Sequence, residues 1–301
     1  MYDLIIIGGG PAGLTAAIYA IRKRLNVMLV SKDLGGKTNY TLALPWVDNY
    51  RVVRGLEIVS KFQNELEYLK FARVMQTVDH VEKSPEGFVV VTREGERLEA
   101  RAVIVATGAR QKFLSVPGEK EYMMCGLCYS AVSYSPLFID RKAVVVGDSE
   151  LALRSAAELA IVAKHVYLVG AGPASLDLPL GQKLKTASNV TVLEGYQVVE
   201  VKGNRYAEGV VVQAPDGHQE ELETDGSFVE MGLVPNSKMV KDLVELDEQG
   251  RIKVDCFCCT SVPGIFAAGD VTDIYAEQVL IAVGEGAKAA LSAYDYLLPM
   301  L

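Results

Sequence analysis

The sequence predicts an α/β protein made of two doubly wound domains. Two observations carry this prediction: the apolar run 4–7 leads through a glycine-rich turn into a helix-like stretch, and the apolar run 143–146 leads through Gly147 into another. The strand-like segments after these helices, 26–30 and 165–169, complete two strand–helix–strand crossovers. A strand–helix–strand crossover of this kind typically begins a doubly wound domain, so two of them in one chain predict two domains.

Composition limits the possible functions. The chain has 301 residues, 50% of them hydrophobic, and a formal net charge of −8 with a pI near 5.1. An acidic chain without a Lys/Arg-rich block is a poor nucleic-acid binder, and its apolar runs are far shorter than the roughly 20 residues of a membrane-spanning helix. Five cysteines and three scattered histidines predict neither a disulfide framework nor a metal site. We therefore expect a cytoplasmic protein with no nucleic-acid or membrane partner.

The first glycine-rich turn, Gly8-Gly9-Gly10-Pro11-Ala12-Gly13, predicts a dinucleotide site. Gly8 makes the tight turn, Gly10 lets backbone N–H groups approach a pyrophosphate, and Gly13 lets the helix pack closely on the sheet. The motif alone also fits a structural turn. The apolar strand before it and the small-residue helix after it favour the nucleotide.

Three further features must be considered together with this turn. They are the loop Ala106-Thr107-Gly108-Ala109, the run Thr260-Ser261-Val262-Pro263-Gly264-Ile265-Phe266-Ala267-Ala268-Gly269-Asp270-Val271, and the segments Leu34-Gly35-Gly36 and Val47-Asp48-Asn49-Tyr50. They resemble the ATGA loop, the flavin motif and the isoalloxazine segments of the low-molecular-weight thioredoxin reductases. The resemblance covers essentially the whole chain. It implies two interleaved Rossmann-like three-layer domains: a FAD-binding domain, residues 1–113 and 236–301, and an inserted NADPH-domain-like region, residues 117–232.

The resemblance implies FAD as the cofactor and a homodimer as the assembly. It places Asp270 on the ribityl chain, Asn49 near the ring, and the start of the last helix at the flavin, where a positive helix end favours the anionic reduced form. Ser31 and Lys32 depart from the pattern, because an acidic residue is expected there to hold a ribose. The candidate FAD-binding residues are Gly8, Gly10, Pro11, Ala12, Gly13, Ser31, Lys32, Gly36, Lys37, Asn49, Ala106, Thr107, Gly108, Gly269, Asp270, Glu277 and Gln278.

The second glycine turn predicts that NADPH is not used. The family binds NADPH through a GGGxxA-like turn and an HRR triplet, whereas this chain has Gly147-Asp148-Ser149-Glu150-Leu151-Ala152 and Gly170-Ala171-Gly172. Asp148 places a carboxylate where the pyrophosphate charge would lie, and no cation remains for a 2′-phosphate. A change of specificity to NADH is the alternative, although the lost glycines affect both nucleotides.

This departure resembles relatives of thioredoxin reductase that take electrons from ferredoxin or another donor. Because ferredoxins are acidic, the docking face should be locally basic. The candidates are the Arg-Lys-Arg run 22–24, Lys32 and Lys37. Cations at the end of the first helix also have a structural explanation, since they complement the helix dipole.

The redox pair is the least regular part of the resemblance. The family carries Cys-x-x-Cys ahead of its second unit, because two sulfurs on one helical turn can close a disulfide and the helix N-terminus lowers a thiol pKa. Cys125 and Cys128 match that spacing, but counting along the chain from either side places the pair on Ser130 and Ser133. Three interpretations stay open: both cysteines are replaced, by engineering or naturally; the pair has moved to Cys125 and Cys128; or the flavoprotein never handled disulfides.

The other cysteines, Cys256, Cys258 and Cys259, lie in an alternating stretch that predicts a strand. Three sulfurs without a nearby histidine make a poor metal site, so packing is the expected role.

Together these features predict a FAD-containing, thioredoxin reductase-like disulfide oxidoreductase that ferredoxin or another donor reduces. Electrons would pass through positions 130 and 133 to a thioredoxin-like disulfide partner, a step that serines at these positions cannot perform. Two alternatives stay open: a non-catalytic FAD-binding or sensor protein, and an NAD(P)H-dependent thioredoxin reductase with an atypical nucleotide site.

Overall fold

The computed structural model describes residues 1–47, 55–69 and 72–301, and the chain divides into two compact units. The first unit is Met1–Asn39, Arg54–Arg110 and Val234–Leu301, and the second is Tyr40–Val53 and Gln111–Leu233. Two of the changes from one unit to the other, at 110/111 and 233/234, lie within a few residues of the predicted boundaries, and the domain division itself stays a prediction.

One segment differs from the predicted division. Residues 40–47, which the sequence analysis placed with the first domain, belong to the second unit. Leu42 and Leu44 are buried in the core of that unit, and the Trp46 ring packs edge-on against Phe138 with centroids 5.6 Å apart. Burial of these apolar side chains decides the membership of the segment, because removing them from water favours the unit that covers them.

The helices and strands are numbered along the whole chain. The strands are β1 (Tyr2–Ile7), β2 (Val27–Val30), β3 (Arg73–Val74), β4 (Val78–Ser84), β5 (Gly87–Thr92), β6 (Arg97–Val105), β7 (Ala109–Gln111), β8 (Leu127–Cys128), β9 (Lys142–Val146), β10 (His165–Val169), β11 (Val190–Leu193), β12 (Gln197–Gly203), β13 (Ala207–Gln213), β14 (Gln219–Glu223), β15 (Gly226–Val229), β16 (Leu233–Pro235) and β17 (Ile265–Ala267). The helices are α1 (Pro11–Arg22), α2 (Gly55–Tyr68), α3 (Glu119–Tyr122), α4 (Ala131–Tyr134), α5 (Glu150–Val162), α6 (Pro173–Leu176), α7 (Pro179–Thr186) and α8 (Val279–Leu297).

The first unit is built on a sheet in the order β3-β2-β1-β6-β5-β4, with β17 also paired to β6. β1 is parallel to β2 and β6, and Leu4 pairs with Val27 on one side and with Ala102 on the other. Leu4 and Ile6 face the core formed with α1 and α8, whereas Ile5 and Ile7 face the core formed with β4 and β5. β1 is therefore covered on both faces, which explains its continuous apolar sequence.

The second unit has a parallel sheet in the order β11-β10-β9-β15-β8 and an antiparallel sheet in the order β12-β13-β14. Ala143 and Val145 of β9 pack with α5, and Val144 and Val146 pack with the antiparallel sheet. The resulting helix, sheet and sheet layers give the second three-layer arrangement. The predicted α/β class with two Rossmann-like sheets is confirmed.

The strand predicted around the three C-terminal cysteines is wrong. Residues 255–258 form a turn, and Cys258 has a left-handed backbone with φ of 64°. The Asp255 carbonyl and carboxylate accept the backbone N–H groups of this turn, as local Asp side chains often do. Within residues 1–47, 55–69 and 72–301, no helix is long and apolar enough to cross a membrane, and no cluster of His, Cys, Asp or Glu is arranged to hold a metal ion.

Candidate flavin site and redox position

The turn between β1 and α1 leaves the N-terminus of α1 open. Gly10 is the N-cap in an extended conformation, no side chain caps it, and the first turn of the helix contains no acidic residue. The first N–H groups of a helix have no partner within the helix, so they and the helix dipole can receive an anion. A Cβ built on Gly10 would meet no atom within 4 Å, so the space beside it is free.

Gly8 and Gly13 allow the backbone to approach closely behind this open end. Gly8 has a φ of 112°, and a Cβ there would collide with the carbonyl of Ala106. A Cβ on Gly13 would collide with the carbonyl of Gly8. These contacts match the roles that the sequence analysis gave to both glycines and bring the 106–108 loop beside the turn.

Ser31 braces the turn from the end of β2. Its hydroxyl accepts the Gly9 N–H at 2.8 Å and donates to the Asp33 carbonyl at 2.7 Å, and its side chain is buried. The Gly35 N–H donates to the Gly9 carbonyl at 2.7 Å and adds a second tie. The neighbouring Lys32 is exposed and lies 3.8 Å from the Asp33 carboxylate. Contact of Ser31 or Lys32 with the cofactor stays a prediction.

Lys37 and Asp270 come together although they are far apart in the sequence. The Lys37 Nζ lies 2.5 Å from the Asp270 Oδ2, and the Asp270 side chain is only 13% exposed. Gly36, beside Lys37, would place a Cβ 3.2 Å from the Gly10 Cα. The segment after β2 and the flavin motif therefore both lie at the open end of α1.

The 106–108 loop is held by a residue that the sequence analysis missed. The Thr107 hydroxyl donates to the Asn236 carbonyl at 2.7 Å, and the Asn236 amide donates back to the Thr107 carbonyl at 3.0 Å. The Asn236 N–H also donates to the Gly108 carbonyl at 2.9 Å. The only sequence signal for Asn236 was its place directly after Pro235, at the predicted return into the first domain.

The start of α8 repeats the features of α1. Gln278 is its N-cap in an extended conformation without a side-chain bond, and its first turn has no acidic residue. Gly269, with φ of 76°, would place a Cβ 3.2 Å from the Ala12 Cβ and 3.5 Å from the Ala282 Cβ. Gly269 thus lies between the first turns of two helices. Glu277 is exposed, and Asn49 lies outside the described residues.

The turn between β9 and α5 in the second unit has the opposite character. Ser149 is the N-cap, and its hydroxyl accepts the Ala152 N–H at 3.4 Å. Glu150 adds an acidic side chain to the first turn. The Asp148 Oδ1 accepts the Gly172 N–H at 2.7 Å and the Ser175 hydroxyl at 2.6 Å. The chain's own polar groups therefore occupy this helix end and the loop beside it.

Ser130 and Ser133 lie together on one helical turn. Ser130 is the N-cap of α4, and the two hydroxyl oxygens are 3.0 Å apart. Both residues are half-buried. They have the arrangement that a Cys-x-x-Cys pair needs, with hydroxyls in place of thiols.

Glu230 is an unpredicted acidic residue behind this serine pair. It is 4% exposed, and its Oε1 accepts the Ala131 N–H at 2.8 Å and the Ser155 hydroxyl at 2.9 Å. Its carboxylate thus caps α4 and ties that helix to α5. A single glutamate after an apolar strand offered no pattern from which this role could be predicted.

Cys125 and Cys128 are placed differently from the serine pair. Cys128 is buried in β8, and burial raises the pKa of its thiol well above the ordinary value. Cys125 is half-buried beside Gly126, whose φ of 84° turns the chain into that strand. Both thiols are free. The pair lies on a turn and a strand rather than on one helical turn.

Comparison with known proteins identifies the family. Residues 2–286 match the model of the pyridine nucleotide-disulphide oxidoreductases. The chain therefore belongs to the pyridine nucleotide-disulphide oxidoreductase family. Its fold is that of the thioredoxin reductases: the thioredoxin reductase of Streptococcus pyogenes MGAS5005 superposes with a TM-score of 0.87 at 33% identity, and that of Giardia duodenalis with 0.85 at 30%, each over 99% of both chains.

Two curated relatives are longer than this chain. The F subunit of the alkyl hydroperoxide reductase of Staphylococcus aureus strain MSSA476 is 36% identical, and NADH dehydrogenase of Bacillus subtilis strain 168 is 34% identical, each over 300 residues. Each match covers 99% of this chain but 59% of the relative. The chain thus spans about three-fifths of their length.

FAD is the cofactor of this family, and the first unit fits it. The open, uncapped start of α1 and the free space beside Gly10 suit a pyrophosphate. The second uncapped helix start, at α8, has no acidic residue in its first turn, so its positive end suits a reduced flavin. The predicted cofactor is confirmed.

Proposed function

We propose that this protein is a FAD-containing, thioredoxin reductase-like disulfide oxidoreductase whose flavin is reduced by a donor other than NADPH. Ferredoxin is the donor class that we expect. The observation that carries the proposal is the closed second turn: Ser149 caps α5, and Asp148 binds Gly172 and Ser175. A pyrophosphate needs free helix N–H groups, and a 2′-phosphate needs cations.

The residues that hold the flavin are proposed from the first unit. The N-terminus of α1 would hold the pyrophosphate, and the Asp270 carboxylate would hold the ribityl chain. Lys37, paired with Asp270, keeps that carboxylate oriented and adds a positive charge at the open end of α1. Bound FAD supplies two-electron transfer chemistry. The start of α8 favours negative charge that develops on the reduced cofactor.

The serine pair limits the chemistry that is possible after the flavin is reduced. A hydroxyl neither forms a thiolate near neutral pH nor closes a disulfide. The chain as it stands therefore accepts electrons but does not pass them through positions 130 and 133 to a thioredoxin-like partner. Cys125 and Cys128 are poor substitutes, because burial keeps the Cys128 thiol protonated.

The first test is an anaerobic titration of the FAD-loaded protein. The flavin absorbance is followed while NADPH, NADH and chemically reduced ferredoxin are added in turn. We expect bleaching by ferredoxin and none by either nucleotide. An NADPH-dependent thioredoxin reductase serves as the control for nucleotide quality. Rapid bleaching by NADPH would restore an ordinary thioredoxin reductase and end the proposal.

A second test restores the sulfur chemistry. Ser130→Cys/Ser133→Cys is compared with the matched single variant Ser130→Cys, which has no resolving thiol. With reduced ferredoxin as donor, the double variant should reduce a thioredoxin disulfide over many turnovers, and the single variant should not. A flavin that is reduced normally in the double variant without thioredoxin turnover would argue against positions 130 and 133.

One observation favours a second candidate, a flavin-binding or sensor protein without disulfide chemistry. Glu230 already occupies the first N–H of α4, and its carboxylate lies beside the serine pair. A redox cysteine benefits from a free helix N-terminus and a nearby cation, not from a nearby acid. Ser130→Cys/Ser133→Cys is therefore tested for thioredoxin reduction with and without the added change Glu230→Gln. Inactivity of both variants would favour the second candidate.

A further inference from the structure

The turn at residues 255–259 carries three cysteines that the proposed function does not use. It lies between β16 and β17 in the first unit, and all three thiols are free. The three cysteines differ in burial: Cys256 is exposed, Cys258 is buried and Cys259 is half-buried. Their different surroundings suggest different roles.

Asp255 fixes the backbone of this turn. Its N–H donates to the Cys259 carbonyl, and its carbonyl accepts the Cys258 N–H, both at 3.0 Å. Its Oδ1 accepts the N–H groups of Phe257 and Cys259, each at 2.9 Å. Four hydrogen bonds to one residue hold the ends of the turn together, so Cys256 and Cys259 stand at fixed positions on the same loop.

Cys258 anchors the turn to the rest of the unit. Its thiol donates to the Glu285 Oε2 at 2.9 Å, and its carbonyl accepts the Ala267 N–H of β17 at 3.1 Å. The Ser292 hydroxyl of α8 donates to the Phe257 carbonyl at 2.7 Å. Burial, and then the Glu285 carboxylate, raise the pKa of Cys258 well above its ordinary value. This thiol is a structural donor and stays protonated.

The other two thiols have the spacing of a redox pair. Cys256 and Cys259 are three residues apart, as in Cys-x-x-Cys, and the residue between them that could compete, Cys258, is buried. We propose that Cys256 and Cys259 form a second, surface dithiol that undergoes thiol–disulfide exchange with low-molecular-weight disulfides. Neither the family's redox position nor the flavin is part of this site.

Exposure and charge assign the two roles. Cys256 is exposed, so a small disulfide in solution can reach its sulfur, whereas Cys259 is half-buried. This access makes Cys256 the attacking sulfur. Burial and then the Asp255 carboxylate raise the pKa of Cys259, so Cys259 is the resolving thiol.

The exchange needs no metal and no oxidant other than the small disulfide. The Cys256 thiolate attacks one sulfur of the small disulfide, releases one thiolate and leaves a mixed disulfide on Cys256. Cys259 then loses its proton to solvent, attacks the Cys256 sulfur and releases the second thiolate. The protein loses two electrons and two protons, and the small disulfide becomes two thiols.

The test uses the FAD-loaded full chain in buffers of graded ratios of reduced to oxidised glutathione. Samples are quenched in acid, and free thiols are blocked with a light alkylating agent. After reduction and heavy alkylation, peptides are mapped by mass spectrometry. We expect Cys256 and Cys259 to acquire the heavy label together with one midpoint. The intact protein should lose two hydrogens without gaining glutathione, and the other cysteines should stay light.

Two single variants assign the roles. In Cys259→Ser, Cys256 should keep one glutathione as a stable adduct, because no thiol resolves it. In Cys256→Ser, Cys259 should stay reduced. Cys125→Ser, in the other unit, is the matched control and should not alter the midpoint. A stable adduct on Cys256 of the unchanged chain, pairing that includes Cys258, or no oxidation across the whole range would each overturn the proposal.

Discussion

The two strand–turn–helix segments of this protein share a local pattern, but their helix N-termini differ: one is uncapped and the other is capped. At the start of α1, Gly10 and Pro11 leave the helix N–H groups uncapped, and the space beside Gly10 is free. At the start of α5, the Ser149 hydroxyl accepts a helix N–H, and Glu150 adds a negative charge. A helix N-terminus is a site for an anion only where the chain leaves it unfilled.

The residues around each turn reinforce this difference. Lys37 and Asp270 approach the open end of α1 from two distant segments. Beside α5, Asp148 is bound by Gly172 and Ser175, so the loop after β10 is tied to the turn by hydrogen bonds within the chain. The comparison teaches that the start of α1 is open to an anion, whereas the start of α5 and the loop beside it are held by hydrogen bonds within the chain.

The largest effect is expected at Glu230, whose carboxylate joins α4 to α5 in the second unit. In Glu230→Ala, the buried Ala131 N–H and Ser155 hydroxyl lose their acceptor. The free energy of unfolding of the second unit should fall by about 2–4 kcal/mol, because buried donors without partners are costly. The fluorescence of Trp46, the single tryptophan of the chain, reports this unfolding in urea.

Glu230→Gln is the matched variant for this experiment, because its amide oxygen remains an acceptor. It should lose clearly less stability than Glu230→Ala. Equal losses in the two variants would mean that the acceptor does not matter, and the closed character of the second unit would then need another explanation.

Gly10→Asp tests the open unit. A Cβ at Gly10 would meet no atom within 4 Å, so the fold should be kept. The carboxylate faces the pyrophosphate position at the α1 N-terminus, and FAD binding should weaken at least about tenfold, or about 1.4 kcal/mol. The flavin-to-protein absorbance ratio after dialysis measures it. Gly10→Ala separates size from charge, and flavin retention by Gly10→Asp equal to that of Gly10→Ala would contradict the assignment.

Asp148→Ala opens the second turn. The Gly172 N–H and the Ser175 hydroxyl lose their shared acceptor. Because Asp148 is exposed, water can replace some of these hydrogen bonds. The Trp46-monitored stability should fall by about 1 kcal/mol, while the flavin content stays unchanged. NADPH should still not reduce the flavin, because no cation is gained. Reduction by NADPH in this variant would show that Asp148 alone excluded the nucleotide.

The smallest expected effect is that of Ser149→Ala. Loss of an N-cap hydroxyl costs about 0.5–1 kcal/mol, and the 3.4 Å bond to the Ala152 N–H places this case at the low end. Ser149→Asp keeps a capping oxygen and should restore the stability. A change of flavin content in either variant would conflict with the separate roles of the two turns.

Much of the fold could be predicted from local sequence patterns. The apolar run of β1, the glycine turn and the small residues of α1 predicted the first strand–helix–strand crossover. The predicted start of the second crossover, at Lys142, agrees with the start of β9. The predicted final helix, from about Gln278 to Leu297, agrees with α8. These predictions succeeded because the apolar residues of a buried helix or strand recur along the sequence with the period of that element.

Other features left no such record. Residues 40–47 lie in the range 1–113 that was assigned to the first domain, but they pack in the second unit through Leu42, Leu44 and Trp46. The alternation around Cys256 predicted a strand, but Asp255 closes a turn there. Glu230 had no signal, because its donors, Ala131 and Ser155, lie far from it along the chain.

The sequence by itself determined the family, the cofactor and the order of elements, because each depends on short runs in which neighbouring residues act together. It also placed serines where a redox pair is expected. Only the tertiary structure decided that Lys37 meets Asp270, that Asp148 is held by Gly172 and Ser175, and that Glu230 caps α4. These contacts join residues far apart in the chain, and which of them meet is fixed by the packing of the whole unit.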